Sequence, residues 1–451
     1  MDNRQDKLQQ QREARRKRRQ RNQILAYVAL LLLIALTAVG VVTGVKYLTR
    51  WQEQRRQEEQ AEQESLQSEL EQQIEQSEES IEAPPDVPEP TAEPIPELTQ
   101  EEKLDEIINA MIDAMPLEDK VSGLFFVTPE SITNVGAAVK AGDGTREALS
   151  RYAVGGIVYA DKNIKNAEQF REMLGNTELY SKYPIFLGIE EEGGSVSPLA
   201  AAGLIEKQSS AADIGAAGDP AAAYQAGTGL GTGLASYGIN VDFAPVADLA
   251  NVEGSVMAAR SYGSDGAAVT AYVNNMMSGL QERGVAACIK HFPCGGGTAA
   301  DTHDGLAVSE RTAEELRSQE LAVYQSSIDS GVQIIMVGHT AVPALTGDNT
   351  PASLSSVIVT DLLRGEMGYR GVVITDAMDM KAISEYYGSG QAAVLALKAG
   401  CDMILMPEDF EEAHAAVLAA VQDGTISEER INDALRRIYR IKCADRLDMG
   451  E

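Results

Sequence analysis

Between Val285 and Leu306 the chain reads VAACIKHFPCGGGTAADTHDGL, an apolar segment that runs into Lys290 and His291 and then, past a glycine-rich turn, into Asp301 and His303. The protein has four histidines, and two of them fall in this stretch. An imidazole can give and take a proton near neutrality, and a carboxylate two positions away could orient the ring and favour its cationic form. A short apolar run ending in a cation and an imidazole, then a flexible loop with a carboxylate and a second imidazole, reads as a strand feeding a catalytic loop. The same residues also suit a plain β-to-α connection whose polar groups cap and solvate. The elements around them must decide.

Eight short apolar runs recur along the chain: Ser122–Val127, Gly155–Tyr159, Pro184–Ile189, Val241–Val246, Val285–His291, Gln333–His339, Gly371–Asp376 and Asp402–Met406. They are near-continuous rather than alternating, as expected for strands buried on both faces. Amphipathic helical stretches separate them. One is Thr312–Ser327; another is Ser427–Ile441, with Ser427 placed to cap and Glu428 and Glu429 in the first turn. This alternation predicts an α/β fold, a (β/α)8 TIM-type barrel, within residues 97–451. A doubly wound sheet is the alternative, but its dinucleotide-binding form would need a GxGxxG turn after the first strand, which is missing.

In a barrel, chemistry belongs at the C-terminal ends of the strands. Those ends are polar here: Glu190 to Glu192 after the third, Asp242 and Asp248 around the fourth, Lys290 and His291 on the fifth, His339 on the sixth and Asp376 on the seventh. Asp379 falls just beyond the seventh strand, where capping of a helix start is expected. His414, within EEAHAAV on a late helix, is expected to face solvent. No ligand cluster suggests a metal, and Cys288, Cys294, Cys401 and Cys443 match no zinc spacing; Cys288 reads as a small buried thiol.

The N-terminal part is of another kind. Residues 1–23 are basic, and the run Ile24–Val45 is free of charge over 22 residues, enough to cross a ~30 Å hydrocarbon layer as a helix. The cationic flank places the N-terminus in the cytoplasm. Residues 24–46 are therefore expected to be a transmembrane signal anchor. Residues 47–96, rich in Gln and Glu and then in Pro, read as an acidic stalk lifting an extracellular domain off the membrane. The net charge of −30 argues against nucleic acid as a partner.

Several spaced segments resemble family 3 glycoside hydrolases of the β-N-acetylhexosaminidase type. KHFPCGGGTAADTH resembles that family's KHFPGHGDT…DSH, IEEEGGSV its DQEGGRV, NVDFAPVADL its NLDFSPVLD, and RSYG its RSFG. The run TPASLSSVIVTDLLRGEMGYRGVVITDAMDMKAI is similar to its seventh-strand region, so the resemblance covers residues 100–445. It implies a retaining glycosidase acting on a carbohydrate with terminal β-linked N-acetylhexosamine, peptidoglycan being the natural substrate to consider, with no cofactor. It further implies Asp376 as the nucleophile that forms a covalent glycosyl-enzyme, and His303, oriented by Asp301, as the acid and then the base. Lys290, His291, Arg260 and Glu190 would hold the sugar, with His339 lining the site. The family's GHG is here Cys294-Gly295-Gly296, its first acid is Glu190, and its two arginine positions hold Ser195 and Pro198. These departures fall on substrate recognition. They leave open an altered sugar preference, or a weakened barrel that binds glycans without cleaving them.

Overall fold

The computed structural model describes residues 99–444. The expected basic segment, membrane span and stalk lie outside them. Among the described residues no helix is long and apolar enough to cross a membrane.

Eight parallel strands form one sheet: β1 Phe125–Val127, β2 Gly156–Tyr159, β3 Phe186–Ile189, β4 Val241–Asp242, β5 Ala286–Phe292, β6 Ile334–Val337, β7 Val372–Thr375 and β8 Ile404–Leu405. Each pairs with its sequence neighbours, and β1 also pairs with β8 (Phe125 opposite Ile404). The ring closes between β7 and β8 through a bridge from Ile374 to Met403, with Asp402 N–H donating to Val373 O at 2.7 Å. Helices follow every strand, so the architecture is the eight-stranded α/β barrel expected.

Every strand residue is buried, which explains why the runs read as continuous rather than alternating. The strands are shorter than the apolar runs. Ser122 belongs to the helix Leu117–Ser122, and β8 keeps only Ile404 and Leu405. Hydropathy records burial: Ser122 is buried within a helix, and Asp402 and Met403 are buried just outside β8. Phe126 fills the barrel bottom, its ring 5.1 Å from Phe243 edge to face. It fits because β2 and β3 carry glycine in that layer: a Cβ on Gly156 or Gly188 would lie 2.7 or 2.6 Å from the ring.

The expected helix Thr312–Ser327 is two, Ala313–Ser318 and Glu320–Asp329, broken at Gln319 (φ −119°, ψ −77°). Thr312 caps the first with Glu315 in a reciprocal box. Ser427 caps Glu428–Lys442 as expected, accepting from Arg430 N–H at 3.2 Å. His414 corrects the sequence reading. It is buried on the inner face of the helix Phe410–Gln422 with Phe410, Ala413 and Val417, and its Nε2 lies 2.9 Å from Ser122 Oγ. Cys288, Cys294 and Cys401 are buried free thiols.

Candidate active site

β5 delivers two side chains to the top of the barrel, and each meets a carboxylate. The Lys290 ammonium is fully buried; it donates to Glu190 Oε1 at 2.7 Å and lies 2.7 Å from Glu192 Oε1. Glu192 also accepts from Arg260, at 2.8 Å from Nε and 2.5 Å from Nη2, in the two-pronged geometry that suits a guanidinium. Burial alone would raise the Glu192 carboxyl, but Lys290 and Arg260 outweigh it and hold it at about 2. Both cations are held charged by the same pairing, against their own burial. Alternating charges therefore run across the site's floor. The Lys290 side chain is fully buried and does not line the cavity, whereas Glu190, half exposed, does.

The second β5 residue, His291, turns Nδ1 to Asp248 Oδ2 at 2.7 Å, while its backbone N–H donates to the same oxygen at 3.2 Å. Asp248 Oδ1 accepts from Gly296 N–H at 3.1 Å. Gly295 lets the carboxylate sit this close, since a Cβ there would lie 2.8 Å from Asp248 Oδ2 and push it back.

Asp376 ends β7 and faces the cavity, with Oδ1 accepting from Ala377 N–H at 2.8 Å. Its burial would favour the neutral acid, yet the imidazoles of His291 and His339, with Lys290 behind them, hold it below the usual carboxylate range. His339 is itself pushed down by burial. Its Nε2 lies 2.9 Å from Ala377 O and its Nδ1 2.8 Å from Ser353 Oγ. A carbonyl can only accept, so the proton belongs on Nε2.

The loop after β5 supplies the other imidazole. Asp301 Oδ1 accepts from His303 N–H at 2.9 Å and lies 2.8 Å from His303 Nδ1. Burial opposes ionisation of Asp301, and the His303 contacts more than offset it. The His303 side chain is 67% exposed, which leaves its other ring nitrogen able to exchange a proton with a ligand. Thr302 O accepts from Ala382 N–H at 3.1 Å, tying this loop to the short helix Lys381–Ser384 after β7.

A cavity of about 660 Å³ is lined by Glu190, Arg260, His291, His303, His339 and Asp376. Residues spread over 187 positions, from 190 to 376, thus share one wall-to-wall site. Ser195, Pro198 and Gly295, where the motifs depart from their pattern, line it too. Asp379 corrects its expected capping role. The helix Lys381–Ser384 is entered from Met380 with no side-chain cap, and Asp379 lines the cavity, its carboxyl raised by burial and by the Asp376 charge. Glu192 and Asp248 had no assigned role from sequence, although both lie in the quoted motifs. What marks them is the buried partner each one meets, which only the fold reveals. Among the described residues no group of three or more His, Cys, Asp and Glu is arranged to hold a metal ion.

The model of the glycosyl hydrolase family 3 N terminal domain matches residues 116–441. Beta-hexosaminidase A of Pseudoalteromonas piscicida is 30% identical over 325 residues, covering 66% of this chain and 54% of that protein. Beta-hexosaminidase of Nitrosomonas eutropha is 31% identical over 278 residues, covering 59% of this chain and 78% of that one. The chain thus spans about half the length of the first relative and about three quarters of the second. Among solved structures, a glycoside hydrolase family 3 beta-N-acetylglucosaminidase from a Paenibacillus species superposes with a TM-score of 0.70 at 36% identity, covering 75% of this chain and 64% of that one. A match that takes in all eight strands and every residue lining the site leaves one assignment: the chain belongs to glycosyl hydrolase family 3, through its N-terminal barrel domain.

Proposed function

We propose that this protein is a retaining β-N-acetylhexosaminidase that removes terminal β-linked N-acetylglucosamine, as from peptidoglycan or related glycans. The observation that carries this reading is a carboxylate, Asp376, kept ionised beside two imidazoles in the same cavity as a mobile-proton pair, Asp301–His303. In the first step Asp376 attacks the anomeric carbon while the glycosidic oxygen departs with a proton from His303, leaving a glycosyl ester on Asp376. Water then gives its proton to His303, attacks the same carbon and releases sugar and carboxylate. Asp301 orients the imidazole through Nδ1. Glu190 accepts from sugar hydroxyls, Arg260 and His291 line the same subsite, and Lys290 fixes Glu190 from behind. His339 holds the backbone after Asp376 through Ala377 O. The β-hexosaminidase names of the relatives support this substrate class.

The full chain should release chromophore from an aryl β-N-acetylglucosaminide, and Asp376→Ala or His303→Ala should abolish release. A 2-fluoro-glycosyl adduct should be found on Asp376. No turnover across a panel of aryl glycosides, by protein that still unfolds cooperatively, would leave a glycan-binding barrel as the better account. We also propose that residues 24–46 anchor the chain with residues 97–451 outside the cell. Protease added to intact cells should then remove the barrel and spare the basic N-terminus.

A further inference from the structure

Asp248 belongs to none of the roles above, yet it is 2% exposed and spends both carboxylate oxygens on the segment that carries His291. Oδ2 takes the His291 backbone N–H and lies 2.7 Å from ring Nδ1; Oδ1 takes the Gly296 N–H. A buried carboxylate against one ring nitrogen decides the tautomer, because it can only accept. Nδ1 must then carry a proton, and Nε2 is left for the cavity that His291 lines with Asp376. Gly295 leaves room for this in the present chain, since any side chain there would begin 2.8 Å from Oδ2.

We propose that Asp248 is a positioning residue for the glycosidase reaction: it fixes the His291 ring with Nδ1–H donated to its carboxylate and Nε2 presented to Asp376 and the sugar. The inference rests on the retaining-glycosidase reading. Its consequence is electrostatic as well as geometric. The ring so held lies beside Asp376, and His291 is foremost among the neighbours that hold the Asp376 carboxyl below the usual carboxylate range against its burial. The groups facing this pair from surrounding elements are Glu190 and Glu192 after β3, Arg260 between β4 and β5, Lys290 on β5, Cys294, Asp301 and His303 between β5 and β6, Tyr324 on the helix Glu320–Asp329, His339 after β6, and Asp376 and Asp379 after β7. The side chain against Nδ1 of His291 is that of Asp248.

With four histidines in the chain, each imidazole can be followed by ¹⁵N-histidine NMR of the full-length protein. The expected result is a His291 ring protonated at Nδ1. Asp248→Asn can offer either its oxygen or its amide to the ring, so the tautomer should mix. Loss of turnover on an aryl β-N-acetylglucosaminide should fall on kcat more than on KM, on the order of 10–100-fold, by analogy with removal of a partner that orients a metal-bound imidazole. Gly295→Ala keeps every charge but crowds the Asp248 carboxylate, and should mix the tautomer in the same way. A wild-type ring protonated only at Nε2 would overturn the proposal whether or not either variant folds. So would folded Asp248→Asn with an unmixed tautomer and an unchanged kcat. Wild-type protein that shows the expected tautomer but turns over no glycoside would instead count against the glycosidase reading, which separates the two failures.

Discussion

Replacing Glu192 by Gln keeps the length of the side chain and removes the negative charge that Lys290 and Arg260 share. The drop of its carboxyl from an ordinary 4.5 to about 2 spans roughly 2.5 units, and at ~1.36 kcal/mol each this is about 3 kcal/mol of pairing free energy. The side chain is 6% exposed, so solvent screening takes little from that figure. A carboxyl depressed in the folded state contributes stability that is complete above its unfolded value and is lost as pH falls toward its folded value. The window here runs from about pH 5 down to about pH 2. Glu192→Gln should therefore cost about 3 kcal/mol at pH 7, within the range of ~3–5 for stranding a buried partner. The gap from wild type should narrow to roughly half at pH 3. Urea unfolding of both proteins at the two pH values measures it. Loss below about 1 kcal/mol at pH 7, or a gap that ignores pH, would show that the floor network is screened by water and does not set the site's charge. In the variant Lys290 keeps Glu190 as its carboxylate partner, and KM on an aryl β-N-acetylglucosaminide should rise as well.

At the other end of the barrel the Lys442 amine is buried without a hydrogen-bond partner and is pushed down by burial from 10.5 to about 7. The rings of Phe186 and Tyr439, each 4.8 Å away, favour the cation but do not offset its desolvation. Since the unfolded chain holds this proton up to about pH 10, stability should rise with pH above 7, and Lys442→Met should gain a few kcal/mol at pH 7 and less at pH 9. Denaturant midpoints at the two pH values check the sign; a destabilised variant refutes it. The Cys294 and Cys401 thiols are pushed up by burial to about 12, so iodoacetamide at pH 8 should leave both unmodified in native protein and label them once urea unfolds it. Rapid native labelling would contradict the burial.

The barrel was legible because eight strands buried on both faces leave eight short, near-continuous apolar runs, a pattern that a doubly wound sheet shares and that the pairing of β1 with β8 decides. Their ends were not, because hydropathy reports burial and not regular strand pairing: Ser122 is buried but ends a helix, and Met403 is buried but joins the sheet through an isolated bridge. His414 was legible and was misread. Its glutamate neighbours suggest a wet face, whereas Phe410, Ala413, His414 and Val417 follow the three-and-four spacing of one buried helix stripe. Asp379 failed for the opposite reason, since a carboxylate just past a strand suits a cap by spacing alone and only coordinates show it in the cavity.

Within the site, residues that line the cavity were recognisable by motif and strand-end position, while those that act from behind it were not. Lys290 shows why the distinction matters. Its motif places it beside His291; His291 lines the cavity, whereas the Lys290 ammonium is fully buried against Glu190 and Glu192. An ammonium inside a barrel needs carboxylates around it, and Glu190 and Glu192 are the third-strand residues that point inward to meet it. The lengthened acid at 190 then has a physical consequence: one oxygen reaches back to Lys290 at 2.7 Å while the half-exposed carboxylate still lines the cavity. With Ser195, Pro198 and Gly295 contributing no cation to the same wall, the charges facing a sugar are Asp161, Glu190, Asp376 and Asp379 against Lys162, Arg260 and the imidazoles, and Lys162 is paired with Glu130. Arg260 is already committed to Glu192. A substrate bearing a carboxylate near this wall meets repulsion that a neutral N-acetylhexosamine does not, and the difference should shrink as added salt screens it.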